Sequence, residues 1–202
     1  MRGTLLALLL WGTSLSQARA EDTTTIAAYG DSLFSGLGVN ETDSFPAQLQ
    51  SRLTFENYRV TVLNDGVAGN TSSSGLARVD AVVDQHPALA IVEFGGNDRD
   101  KGVPLDQTRQ NLDQMLMRLT QSSIKVLLVG QKINANDPGA AQYNSMFCDL
   151  ARQYNAACYP SFYDGIYGNA SLLQSDGVHP NAQGVGVLVD RMYPLIAANL
   201  KR

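Results

Sequence analysis

Cysteine and histidine are nearly missing from this 202-residue chain, with two of each. Two cysteines cannot build a disulfide scaffold, and without a C-x-x-C pair these four residues offer no ligand set for structural zinc. A basic surplus is missing as well. Lys and Arg number 15 against 19 Asp and Glu, a net charge of −4, so neither nucleic acid nor an anionic membrane has an electrostatic reason to bind. No internal repeat, linker or low-complexity tract interrupts the sequence. What remains, 44% hydrophobic residues with 18 Gly and 7 Pro, is an ordinary globular composition, neither collagenous nor disordered.

Met1 to Ala20 has the three parts of a secretory signal: Arg2 at the start, an apolar region from Leu5 to Trp11, and the small-x-small site Ala18-Arg19-Ala20. The apolar region is far shorter than the ~20 residues that span a bilayer. Cleavage after Ala20 is therefore expected, leaving residues 21–202 as one acidic, soluble domain, periplasmic or secreted and monomeric. Loss of Arg2 and Arg19 lowers its net charge from −4 to −6. Export permits a bridge between Cys148 and Cys158, which the sequence neither requires nor forbids.

Short apolar runs alternate with amphipathic stretches, the pattern of an α/β domain. Strands are predicted at Thr25–Tyr29, Arg59–Leu63, Ala88–Phe94, Lys125–Val129 and Ala157–Phe162. Their near-continuous apolar character suits a parallel sheet covered on both faces. Helices are predicted at Phe45–Leu53, Gly75–Gln85, Asp106–Thr120, Ala140–Tyr154 and Ala182–Leu200, the fourth started by Asp137-Pro138 and the fifth capped by Asn181. The expected architecture is a three-layer α/β/α sandwich around a five-stranded parallel sheet.

Ligands of such sheets bind outside the carboxyl ends of the strands, and four polar segments converge there: Gly30 to Leu33, Asn64 to Asn70, Gly95 to Asp98 and Asp176 to His179. A hydroxyl nucleophile needs a base, an orienting group for the base, and donors for the oxyanion. Ser32 follows the first strand at a turn into a helix. His179 has Asp176 three residues before it, within reach of one ring nitrogen. Gly69 lacks a Cβ, so its N–H can approach a tetrahedral centre closely, and Asn97 offers a side-chain amide. His86, before Pro87, reads as a turn residue. Glu93 sets a carboxyl inside an apolar strand and so implies a buried partner.

The joint order of these blocks resembles the SGNH hydrolases, the GDSL esterases and lipases. Tyr29-Gly30-Asp31-Ser32-Leu33, Asn64 to Thr71, Gly95-Gly96-Asn97-Asp98 and Asp176-Gly177-Val178-His179-Pro180 match four family blocks, and the likeness runs from about Ile26 to Leu200. Gly75-Leu76-Ala77-Arg78 and Val92 to Asp98 are closest to the bacterial branch of acyl-CoA thioesterase I, lysophospholipase L1 and arylesterase. The resemblance implies Ser32 as nucleophile, His179 as base and Asp176 as its orienter. It implies an oxyanion hole from the Ser32 and Gly69 amides and the Asn97 side chain, with no metal or organic cofactor. The substrates it implies are small-molecule or lipid carboxylic esters and thioesters, hydrolysed through an acyl-enzyme.

Two positions depart from the branch. Arg99-Asp100-Lys101-Gly102-Val103-Pro104 stands where a Gly, Leu and Arg loop usually closes over the acyl chain, so short to medium acyl groups are expected. Asn70 stands where Asp is frequent. Carbohydrate O-acetylesterases share the four blocks and form the alternative substrate class. An exported, non-catalytic binding module would lack a site residue, and none is missing. The Gly-x-Ser-x-Gly elbow of α/β-hydrolases needs glycine at position 34, where Phe34 stands.

Overall fold

Thr24–Gly30 reads Thr-Thr-Ile-Ala-Ala-Tyr-Gly, β-branched and small residues with one aromatic, and it forms β1 with Ile26 to Tyr29 fully buried. Four more strands complete its sheet in the computed structural model, which describes residues 23–200: β2 (Val60–Gly66), β3 (Leu89–Glu93), β4 (Lys125–Val129) and β5 (Ala157–Tyr159). The signal-like segment 1–20 lies outside the described residues. All pairs are parallel, as the apolar runs predict, and the order is β2-β1-β3-β4-β5.

Side chains alternate across the sheet and so divide the core in two. Ile26, Ala28, Leu89, Ile91 and Leu127 pack on one face, against α2 (Phe45–Phe55) through Leu49 and Leu53 and against α8 (Ala182–Asn199) through Leu188 and Met192. Ala27, Tyr29, Ala90, Val92 and Leu128 pack on the other, against α4 (Val79–Asp84), α6 (Leu105–Gln121) and α7 (Ala140–Gln153). In α6 the buried residues Thr108, Leu112, Met115, Leu116 and Leu119 follow the spacing of one helical face. The three-layer sandwich is the expected one.

Three local expectations are corrected. The predicted helix Gly75–Gln85 is two helices, α3 (Ser72–Leu76) and α4, broken at Ala77-Arg78. Arg78 leaves the helical line because its guanidinium turns toward the sheet, donating to the carbonyls of Gly30 at 2.8 Å and Asp65 at 2.7 Å. Asp137-Pro138 does not start α7; Gly139, in the left-handed region, precedes its first residue. The fifth strand ends at Tyr159 instead of reaching Phe162, since Pro160 follows. Asn181 does cap α8, accepting from the Gly184 N–H at 3.0 Å. Two short helices, α1 (Ser32–Ser35), at the turn into a helix expected for Ser32, and α5 (Gly96–Asp100), are not among the helices predicted from periodicity. Cys148 of α7 is bridged to Cys158 of β5. Among the described residues no helix is long and apolar enough to cross a membrane.

Candidate active site

Strand order reverses between β1 and β3, because β2 lies on the outer side of β1. Such a switch point opens a crevice at the carboxyl ends of the two strands. Ser32 begins α1 directly after β1, and Asn97 lies in the first turn of α5 after β3. Asp31 caps α1 by accepting the Leu33 N–H at 3.0 Å, which fixes the turn that carries Ser32.

His179 reaches this crevice from the loop before α8. Its Nε2 is 2.9 Å from Ser32 Oγ, and its Nδ1 is 2.7 Å from Asp176 Oδ2. Asp176 Oδ1 accepts the N–H groups of Val178 at 2.9 Å and His179 at 3.0 Å. The His179 hydrogen bond, aided by those two amides, lowers the Asp176 carboxyl to about 2. An ionised Asp176 accepts from Nδ1, so the hydrogen sits there and leaves the Nε2 lone pair to face the Ser32 hydroxyl. In this arrangement a hydroxyl proton can pass to the ring as the oxygen attacks a carbonyl.

The remaining site residues meet across β1 and β3. Asn97 Nδ2 donates to Asp31 Oδ2 at 2.8 Å and to the carbonyl of Asn70 at 3.0 Å, so its amide bridges the Ser32 turn and the Gly69 loop. Gly69 has φ of +77° and open space where a Cβ would stand. Its backbone conformation, not crowding, calls for glycine. The Gly69 carbonyl accepts from Lys101 Nζ at 2.7 Å, which ties the charged 99–103 segment to this loop. His86 has φ of +49° before Pro87, consistent with its reading as a turn residue.

Several supports escape the sequence pattern. Gln174 Nε2 donates to the carbonyls of Leu37 at 2.8 Å and Pro180 at 2.9 Å, pinning the His179 loop to the segment after α1. Only folding brings these residues together, and no local motif announces Gln174. Asp98, almost fully buried, accepts the Ser72 N–H at 2.7 Å and hydrogen bonds from the Ser72 and Thr108 hydroxyls. It thereby joins α3, α5 and α6. Glu93, fully buried, accepts from Gln131 Nε2 and meets the Asp31 carboxyl, the partner that its place in an apolar strand implies.

Between the segments that carry Asn97 and His179 runs a cleft of about 450 Å³. Gly96 and Val178, neighbours of Asn97 and His179, line it, together with Tyr143, Tyr163 and Tyr167. Arg99, Asp100 and Lys132 add charge to its wall.

An open parallel sheet with a serine, a histidine and a carboxylate hydrogen-bonded at its switch point is the build of an α/β ester hydrolase. Comparison with known proteins gives the family: residues 28–187 match the GDSL-like Lipase/Acylhydrolase family, and the chain belongs to it. The resemblance carried by the four blocks is therefore borne out. Esterase TesA of Pseudomonas aeruginosa is 33% identical over 199 residues, 97% of this chain and 98% of its own length. Thioesterase 1/protease 1/lysophospholipase L1 of Escherichia coli is 32% identical over 179 residues, covering 86% of this chain and 84% of that one. The crystal structure of a psychrotrophic esterase, EstA from a Pseudoalteromonas species, superposes with a TM-score of 0.81 at 27% identity. It covers 88% of this chain and 98% of that one. The chain is an ester hydrolase of the GDSL type, and carbohydrate O-acetyl ester hydrolysis is not favoured.

Proposed function

We propose that this chain hydrolyses carboxylic esters and thioesters of short to medium acyl length through an acyl-enzyme on Ser32. The observation that carries the reading is the continuous hydrogen-bonded chain from Ser32 Oγ through His179 to Asp176. Ser32 attacks the carbonyl carbon while His179 Nε2 takes the hydroxyl proton. The resulting imidazolium is stabilised by Asp176, and it returns the proton to the leaving alkoxide or thiolate. Water then enters, gives its proton to Nε2 and attacks the acyl-enzyme, and the acid leaves as Ser32 recovers its hydrogen.

The oxyanion is held by the Ser32 and Gly69 N–H groups and the Asn97 amide. In the resting site both Asn97 hydrogens are engaged. The one on the Asn70 carbonyl turns to the oxyanion, because the other is bound to a carboxylate at shorter range. The cleft favours limited acyl length: its tyrosine walls are apolar, but Arg99, Asp100 and Lys132 interrupt them. Export with cleavage after Ala20 is part of the same reading, supported by the signal-like start and by the Cys148–Cys158 bridge. Mass spectrometry of the exported protein should then find Glu21 as its first residue.

A fluorophosphonate that traps activated serines tests the assignment. Incubated with residues 21–202, it should add one phosphonyl group to the peptide carrying Ser32, and S32A should take up none. Labelling at another serine, or equal labelling of S32A, would overturn it.

A further inference from the structure

Two carboxyl groups lie in contact beneath the site, and the mechanism above uses neither as an acid or base. The β1–β3 register sets Gly30 opposite Glu93. A Cβ on residue 30 would stand 3.1 Å from Glu93 Oε2, so glycine there leaves the room in which the Glu93 carboxyl meets that of Asp31. Glu93 is fully buried and Asp31 is 2% exposed. Two like charges in contact inside a protein cannot both persist, and one of the pair keeps a proton.

Hydrogen-bond geometry decides which one. Both Asp31 oxygens are taken as acceptors: Oδ1 by the Leu33 N–H at 3.0 Å and Oδ2 by Asn97 Nδ2 at 2.8 Å. A proton on either oxygen would face a donor. Glu93 Oε1 accepts from Gln131 Nε2, and the Asp31 backbone N–H also faces the carboxyl, yet Oε2 is left without a hydrogen bond of good geometry. We infer that Glu93 stands protonated at Oε2 and gives this hydrogen to Asp31, acting as a positioning residue that holds Asn97 and the Ser32 turn in register. The inference rests on the roles proposed above for Ser32 and Asn97.

Electrostatics agree. Burial first, and then the Asp31 charge, raise Glu93 well above the usual carboxylate range. Burial also raises Asp31, but the Leu33, Glu93 and Asn97 hydrogen bonds oppose that shift. The other titratable groups that feel the pair are His179, Tyr143 on α7 and Tyr163 after β5, and burial keeps both tyrosines as neutral phenols. The pair therefore carries one negative charge, placed on Asp31, where it orients the Asn97 amide.

Infrared spectroscopy of residues 21–202 near neutral pH reads the proton directly. The carbonyl stretch of a protonated carboxyl should be present in wild type, move when glutamate is labelled with carbon-13, and vanish in E93Q. Steady-state kinetics on p-nitrophenyl butyrate reads its effect. E93Q, whose amide can donate to Asp31 and accept from Gln131, should stay within about threefold of wild-type kcat, while E93L should lose about tenfold or more with KM little changed. That loss is a part of the ~100-fold or greater cost of removing an oxyanion donor. An absent band, a band that the glutamate label leaves unmoved, or a folded E93L with wild-type kcat would overturn the inference. Should E93L not fold, the spectra of wild type and E93Q decide alone. Full activity in N97A would strike the role of Asn97 and leave the Glu93 proton standing, so the two failures are distinguishable.

Discussion

Asn97 has two amide hydrogens and three acceptors competing for them: Asp31, the Asn70 carbonyl and the oxyanion formed in the reaction. N97A should therefore lower kcat by about 100-fold or more while leaving KM near its original value; a loss confined to KM would show a binding role instead. Glu93 gives a second residue-scale outcome, through the pH dependence of stability. Its native carboxyl titrates above the ordinary value of 4.5, so between those two values the folded protein holds a proton that the unfolded chain has lost. The stability linked to Glu93 is complete below 4.5 and is lost as pH rises through the native value. Wild-type Tm should consequently fall relative to that of E93Q from mildly acidic to alkaline pH, and a constant difference would contradict the buried proton. Ser32, Asp176 and His179 were legible in the sequence because their chemistry lies in short blocks, with Asp176 and His179 three positions apart. The Glu93 partner was not, since Asp31 meets it through strand register across sixty-odd positions. At Gly69 the structure adds a backbone reason for glycine, a φ of +77°.

At the scale of elements, the apolar pattern identified the strands most directly at β1, β3 and β4, which lie inside the sheet, are buried on both faces and read as apolar runs. It joined α3 to α4 because the break depends on Arg78 reaching back to Gly30 and Asp65, contacts that no local pattern encodes. Helices α1 and α5 escaped it for another reason. Each is no more than five residues long and is set by the strand end and glycine turn before it, too short for a 3.6-residue repeat to register. The Cys148–Cys158 bridge fastens α7 to the edge strand β5, which pairs with only one neighbour. Its cysteines are ten positions apart, and a loop of that size restricts the unfolded chain by about 2–3 kcal/mol. The double variant C148S/C158S should lose about that much stability in denaturant titration and keep its kcat, because neither cysteine lines the cleft between the segments that carry Asn97 and His179. Equal stability of the two proteins would show that the bridge does not form in solution.

For the whole molecule, the sheet acts as a frame that delivers four separate segments to one edge. Ser32 comes from the turn after β1, Gly69 from the loop after β2, Asn97 from the turn after β3, and His179 from the loop before α8. Their hydrogen bonds then lock the segments together, so the site depends on tertiary packing more than on any one loop. The tyrosine-walled cleft and its charged edge are the features on which the proposed preference for short to medium acyl groups rests. The most direct measurement is steady-state hydrolysis of p-nitrophenyl esters of increasing acyl length by residues 21–202, with S32A run beside wild type. The expected result is kcat/KM highest at short to medium length and lower on long chains, with S32A folded and reduced by a factor of about 10⁴ or more. A folded S32A within about tenfold of wild type would contradict Ser32 as the nucleophile, and kcat/KM rising to the longest chains would contradict the limit set by the charged cleft.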